Sequence, residues 1–237
     1  MADNNQFNIT TGNLQKAKKK GIVDIVFLID TTGSMGPVID SIANNISTFV
    51  QNIDSETVKD YRIKVASFGD LDEDRPEISM VLNRDWTNNP QEVVNQLQEC
   101  IEIVKEGGGG DEPESSLDAL YNVITQGIFD APWNERTRVV VMFTDAAPKP
   151  IKKETIGIEL TPDEAVEKLA GDIKENHIHL YLYAPEHPHY ETLKNMGGDY
   201  VEYYPIKGDP VAGLRNLDFS KVMETLGKSV SQPSNFN

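Results

Sequence analysis

The sequence predicts an α/β fold, a doubly wound and mostly parallel open sheet with helices on both faces and one short antiparallel edge strand. Two apolar runs, Ile22 to Ile29 (IVDIVFLI) and Arg138 to Thr144 (RVVVMFT), read as strands buried on both faces. Each delivers an aspartate at its carboxyl end, Asp30 and Asp145. Strand-like and helix-like segments alternate along the chain, and parallel strands require right-handed crossovers that pass over a face of the sheet. At 237 residues the chain suffices for one such domain with ragged ends. The expected division is an N-terminal extension over 1–20, the domain over 21–230 and a tail over 231–237.

Each element has its own signal. After Gly36 and Pro37, apolar residues at Val38, Ile42, Ile46, Phe49, Val50 and Ile53 recur at three and four, the spacing of a helix laid on a sheet. Tyr61 to Phe68 (YRIKVASF) alternates as a strand, and Ile78 to Leu82 is the expected edge strand beyond the charged stretch Asp70 to Glu77. Helical patterns over Pro90 to Lys105 and Glu114 to Gln126 flank a glycine run, Gly107 to Gly110, that no regular element tolerates. Thr161 is placed to cap a helix reaching about Glu175, with Pro162 in its first turn and Glu164 completing a capping box. Ile178 to Tyr183 is a further strand, Glu191 to Met196 a short helix and Tyr200 to Tyr204 the last strand. A C-terminal helix is expected from Phe219 to Val230, followed by a disordered SQPSNFN tail.

Composition excludes several classes of function. Lys and Arg total 22 against 38 Asp and Glu, and the net charge of −16 opposes binding to nucleic acid or an anionic membrane. The single cysteine, Cys100, permits no intramolecular disulfide and sits in a helical apolar pattern, where it reads as a buried structural thiol. The opening MADNNQFNITTGNLQKAKKKG lacks a signal peptide's apolar region, and no apolar stretch approaches the roughly 20 residues of a membrane span. A soluble cytoplasmic protein is therefore the default expectation, and an excised ectodomain fragment has the same signature.

In a doubly wound sheet, ligands bind beyond the carboxyl ends of the strands, where consecutive strands leave in opposite directions. The loop Asp30-Thr31-Thr32-Gly33-Ser34 offers there one carboxylate and, at alternate positions, two hydroxyls. These are hard oxygen donors, suited to Mg²⁺, Mn²⁺ or Ca²⁺ rather than to zinc. From about Gly21 to Tyr204 the chain resembles the von Willebrand factor A family, whose metal-ion-dependent adhesion site uses an Asp-x-Ser-x-Ser loop, a Thr from a second loop and an Asp after a later strand. The resemblance implies Asp30, Thr32 and Ser34 for the first loop, with Thr replacing the first Ser, and Asp145 in MFTDA for the third element. The second element departs from the pattern, because GGGGDEPESSLDAL places Asp111 where the family usually has Thr, the Gly-Gly-Gly-Asp-x-Pro-Glu form of a subset of relatives. The implied metal set is thus Asp30, Thr32, Ser34, Asp111 and Asp145. Asp111 reads either as a direct or water-mediated ligand or as an acid favoured at the start of the following helix. Three carboxylates on a dication leave the site at about −1, which predicts firm retention of the metal and weaker capture of a partner's carboxylate.

The function implied is a divalent-cation-dependent protein-binding module that engages a partner's Asp, Glu or other oxygen ligand, with no nucleophile and no enzymatic activity. Two alternatives stay open. The Asp-x-Thr-Gly-Ser loop also resembles the aspartyl-phosphate loop of magnesium-dependent haloacid dehalogenase-type phosphatases, with Asp30 as nucleophile. A regulatory scaffold subunit of a bacterial multi-protein system is the other, with the C-terminal helix responding to the site. Asp70, Asp72, Glu73 and Asp74 read as a solvated acidic loop, and Lys18 to Lys20 as a solvated lead-in. The pairs His177/His179 and His187/His189 have no cysteine nearby and do not read as a zinc set.

Overall fold

The computed structural model describes residues 21–53, 58–72, 74–107 and 113–215. Asp111, Glu73, the Lys18 to Lys20 run, the extension over 1–20, the expected helix from Phe219 to Val230 and the tail over 231–237 lie outside the described residues.

The chain alternates as the apolar pattern dictates: β1 (Gly21–Asp30), α1 (Ile39–Gln51), β2 (Val58–Phe68), α2 (Pro76–Ser79), β3 (Met80–Val81), α3 (Pro90–Glu106) and α4 (Ser116–Thr125). There follow β4 (Thr137–Phe143), α5 (Lys153–Ile156), α6 (Pro162–Glu175), β5 (Ile178–Pro185), α7 (Pro188–Gly197), β6 (Val201–Ile206) and α8 (Pro210–Arg215). The strands form one six-stranded sheet in the order β3-β2-β1-β4-β5-β6. Every pairing is parallel except β2 with β3, where Ser67 faces Val81 and Phe68 faces Met80. This is the doubly wound sheet with an antiparallel edge that the sequence predicts.

Because successive strand residues point to opposite faces, the apolar residues of β1 serve two cores. Val23, Ile25, Phe27 and Ile29 pack among Ile42, Ile46 and Phe49 of α1 and Val93, Leu97 and Cys100 of α3. Val26 and Leu28 face the opposite side, among Leu117, Leu120 and Val123 of α4, Leu169 and Ile173 of α6 and Leu193 of α7. Cys100 is fully buried, and burial pushes its thiol pKa up, which disfavours the reactive thiolate. At the amino edge Asp24 is buried between two guanidinium groups. Arg62 meets both its oxygens, at 2.7 and 3.0 Å, and Arg136 Nε donates to the Oδ1 that Arg62 Nε also reaches, while another guanidinium nitrogen reaches Asp60 at 2.6 Å. The network ties β1 and β2 to the entry of β4 at the end of the sheet opposite the aspartates Asp30 and Asp145.

Three short helices, α2, α5 and α8, escape the sequence expectations, since four to six residues are too few to display a helical period, and α2 takes Ile78 and Ser79 from the expected edge strand, which spans only Met80–Val81. The helix expected from Glu114 begins instead at Ser116. Glu114 is held extended, its amide donating to the Ala147 carbonyl at 2.9 Å and its carbonyl accepting from the Lys149 amide at 2.7 Å. The short helix expected at Glu191 to Met196 spans Pro188–Gly197 and starts at His187, whose ring Nδ1 accepts from the His189 amide. Among the described residues no helix is long and apolar enough to cross a membrane.

The capping box of α6 is present. Thr161 Oγ1 accepts from the Glu164 amide at 3.3 Å, and the Glu164 carboxylate accepts from the Thr161 amide at 2.8 Å. Thr161→Ala is expected to cost about 1 kcal/mol and lower the melting temperature by roughly 2–4 °C for a domain of this size; differential scanning calorimetry checks it.

Candidate functional site

The strand order determines where a site can lie. After β1 the chain crosses one face to β2 and then returns to place β4 on the other side of β1, so β1 and β4 border the point where connections diverge. Asp30 ends β1 and Asp145 follows β4 by two residues, which brings side chains 115 positions apart to a common edge.

There they meet in one polar cluster. Asp30 is fully buried; its Oδ1 accepts from the Thr32 amide at 2.9 Å and the Thr32 hydroxyl at 2.7 Å. Its Oδ2 accepts from Thr144 Oγ1 at 2.6 Å. Thr32 Oγ1 lies 3.1 Å from Ser34 Oγ, and Ser34 Oγ donates to Asp145 Oδ1 at 3.0 Å. The turn that makes this possible is a single 3-10 turn over Gly33–Met35, anchored below by Met35, which is buried, while Ser34 remains exposed. Thr31 fixes the loop to the neighbouring strand through its amide and hydroxyl, both donating to the Phe68 carbonyl. Asp30, Thr32, Ser34 and Asp145 are therefore brought together, whereas Asp111 lies outside the described residues.

The electrostatics are those of crowded anions. Burial, and then the Asp145 charge, push the Asp30 pKa up to about 7 in spite of its three hydrogen-bond donors. Glu114 is buried as well; its pKa is raised to about 8 by desolvation and by the charges of Asp30 and Asp70, and its Oε2 has no hydrogen-bond partner. A buried carboxylate oxygen without a donor is costly.

Several residues here escape a reading by local sequence. Thr144 supports Asp30 directly and accepts from the Ala146 amide. Glu114 closes the Gly-Gly-Gly-Asp-x-Pro-Glu string, which was the available signal for it. Tyr190 of α7, fully buried, lies 2.8 Å from Ser116 Oγ and donates to the Ala146 carbonyl, bracing the loops before α4 and after β4. The acidic loop after β2 needs correction. Asp72 is exposed as expected for a solvated loop, but Asp70 is fully buried and paired with Lys149 Nζ at 2.6 Å. Lys149 is remote in sequence, so nothing local announces that Asp70 has a counter-ion.

Away from this edge, His177 stacks on Trp133 and its Nδ1 lies 2.9 Å from the Tyr200 hydroxyl. Among the described residues no three His, Cys, Asp or Glu side chains are gathered in a way that would hold a metal by themselves. The donor set at the sheet edge differs from such a cluster, since it consists of two carboxylates and two hydroxyls.

Comparison with known proteins agrees with this architecture. The model of the von Willebrand factor type A domain matches residues 24–209. No curated protein sequence matches the chain. Among solved structures, proximal thread matrix protein 1 from the mussel byssus is similar at 14% identity and a TM-score of 0.56, with 90% of this chain and 47% of that one covered. A second structure of that protein, with a zinc-occupied MIDAS motif, gives 14% identity, a TM-score of 0.53 and the same 90% of this chain. The chain thus spans about half the length of the mussel protein, and at this identity the likeness concerns the fold. With the family model matching most of its length, the chain belongs to the von Willebrand factor type A domain family.

Proposed function

We propose that the domain binds one hard divalent cation at the carboxyl edge of its sheet and uses it to engage an oxygen ligand of a protein partner. The observation that carries this reading is the convergence of Asp30, Thr32, Ser34 and Asp145, with each hydroxyl bonded to one of the two carboxylates. Both hydroxyls give their protons to carboxylates, so their lone pairs remain for a cation. The 3.1 Å between those hydroxyl oxygens also suits two donors on adjacent corners of an octahedron, which lie about 3 Å apart when each bond is about 2.1 Å.

Asp30 and Asp145 would hold the ion with Thr32 and Ser34, and Asp111 is the further acid that the resemblance implies. Substituting Asp111 decides whether the Gly-Gly-Gly-Asp variant contributes a ligand. When bound, the cation supplies a Lewis-acidic position at which a partner's carboxylate can complete the coordination shell. Three ionised carboxylates around a dication leave about −1, which favours retention of the metal over capture of a partner's acid. Hard oxygen donors favour Mg²⁺, Mn²⁺ or Ca²⁺, and zinc belongs in the same assay because the mussel protein's site is described with it. Binding rather than catalysis is favoured because Asp30 has no exposure and both its oxygens already accept hydrogen bonds, poor conditions for a nucleophile.

Ser34 is exposed, so Ser34→Ala tests the site without disturbing the core. It is expected to weaken Mg²⁺ affinity by tenfold or more, that is, by about 1.4 kcal/mol or more, with an unchanged far-UV circular dichroism spectrum. Partner capture by the wild type should be lost in EDTA. Equal Mg²⁺ affinity in the two proteins contradicts the reading.

A further inference from the structure

The turn that carries Asp145 is held from outside the candidate site by a tyrosine. Tyr190, in the first turn of α7, is fully buried among the side chains of the second core. Its hydroxyl donates to the Ala146 carbonyl at 3.3 Å and lies 2.8 Å from Ser116 Oγ. A carbonyl can only accept, so the single phenolic proton goes to Ala146 and the Ser116 hydroxyl donates to the phenolic oxygen. Burial pushes the Tyr190 pKa up, which keeps that proton in place. Ser116 opens α4, after the stretch of sequence that holds Asp111, and Ala146 follows Asp145. The Ala146 amide in turn donates at 3.2 Å to Thr144 Oγ1, the hydroxyl that donates to Asp30 at 2.6 Å. The residue after Asp145 is thus fixed at both its amide and its carbonyl.

We infer that Tyr190 is a positioning residue of the cation site: its hydroxyl ties the start of α4 to the Ala146 carbonyl, holds the Asp145 turn rigid and so makes the site favour Mg²⁺ over the larger Ca²⁺. This rests on the single-cation reading proposed above. Tyr190 acts through the backbone beside Asp145 rather than as a ligand. Mg²⁺ demands near-octahedral geometry with bonds of about 2.0–2.1 Å, whereas Ca²⁺ takes 6–8 oxygen ligands at longer distances in flexible geometry. A ligand turn that is free to drift therefore penalises the smaller ion more than the larger. A hydroxyl that only adds stability would, on removal, lower the melting temperature and leave the preference between the ions as it was.

Calorimetric titration of the full chain with Mg²⁺ and, separately, with Ca²⁺ decides between these in the wild type, Tyr190→Phe and Tyr203→Phe. The Tyr203 ring lies 5.9 Å from that of Tyr190 between centroids, and its hydroxyl donates to the Pro185 carbonyl, so Tyr203→Phe removes a neighbouring phenolic hydroxyl without cutting the tie. Tyr190→Phe is expected to weaken Mg²⁺ affinity by about tenfold and Ca²⁺ affinity by about threefold or less, while Tyr203→Phe keeps the wild-type ratio of the two affinities. Should Tyr190→Phe fail to fold, Ser116→Ala cuts the same tie from its other end and is judged by the same ratio. A folded variant without the tie that keeps the wild-type ratio overturns the inference, and so does an equal change of ratio in Tyr203→Phe. Failure of the cation site itself looks different: none of the proteins, the wild type included, would then take up either ion, and the inference would fall with it.

Discussion

Asp30→Asn is expected to abolish divalent-cation binding and yet leave the metal-free domain as stable as the wild type or more so at pH 8. The two effects share one cause. Asp30 is a fully buried carboxylate beside Asp145, and its folded pKa of about 7 stands above the 3.8 of the unfolded chain. A raised pKa means that folding favours the protonated form, so stability from this group is fully present below about pH 4 and is lost as pH rises through 7. At about 1.4 kcal/mol per pKa unit the loss is on the order of 4 kcal/mol. Asparagine has no such charge at any pH. Its Oδ1 can keep both bonds from Thr32, and its amide can donate to Thr144 Oγ1, whose two lone pairs accommodate it alongside the Ala146 amide. For the cation, the loss of one anionic ligand at bonding distance costs hundredfold or more in affinity. Calorimetry with Mg²⁺ and thermal scans in EDTA measure both halves. Wild-type affinity in Asp30→Asn, or a melting temperature several degrees lower in EDTA, contradicts the account.

The wild-type protein is expected to lose stability in EDTA as pH rises from 4 to 8, and saturating Mg²⁺ should remove most of that loss. Glu114 adds to the trend set by Asp30, since its folded pKa of about 8 exceeds the 4.5 of an ordinary glutamate and its contribution likewise falls away as pH rises through 8. A dication reverses the logic by favouring the ionised forms. At a free concentration one hundred times the dissociation constant, Mg²⁺ adds about 2.7 kcal/mol, a rise of roughly 5–10 °C in melting temperature for a chain of this length. The difference between Mg²⁺ and EDTA should therefore be small near pH 4 and widest near pH 8. Parallel melting curves across that range would mean that these buried acids are not what the cation neutralises.

The fold was legible because its determinants are local and strongly patterned. Ile25 to Ile29 is an unbroken apolar run that reads as a strand covered on both faces, and the capping residues Thr161 and Glu164 mark the start of α6 by themselves. Asp30, Thr32 and Ser34 were legible for a similar reason, since their spacing within one turn is the geometry itself. What local sequence concealed was pairing at a distance. Asp70 sits in a run of acids that hydropathy assigns to solvent, and only the return of the chain after β4 delivers Lys149 to bury it. Glu114 looked like the first residue of a helix because acids are favoured there, but its backbone is claimed by Ala147 and Lys149 instead. The three short helices fall below the length at which periodicity carries information.

The central claim is that Asp30, Thr32, Ser34 and Asp145 converge on a single hard cation. An anomalous difference map from crystals soaked in Mn²⁺ tests it most directly. A peak at bonding distance from the hydroxyl oxygens of both Thr32 and Ser34, and on the side faced by the carboxylates of Asp30 and Asp145, is the result expected. A map with no peak there, or with manganese held only elsewhere on the molecule, would contradict it.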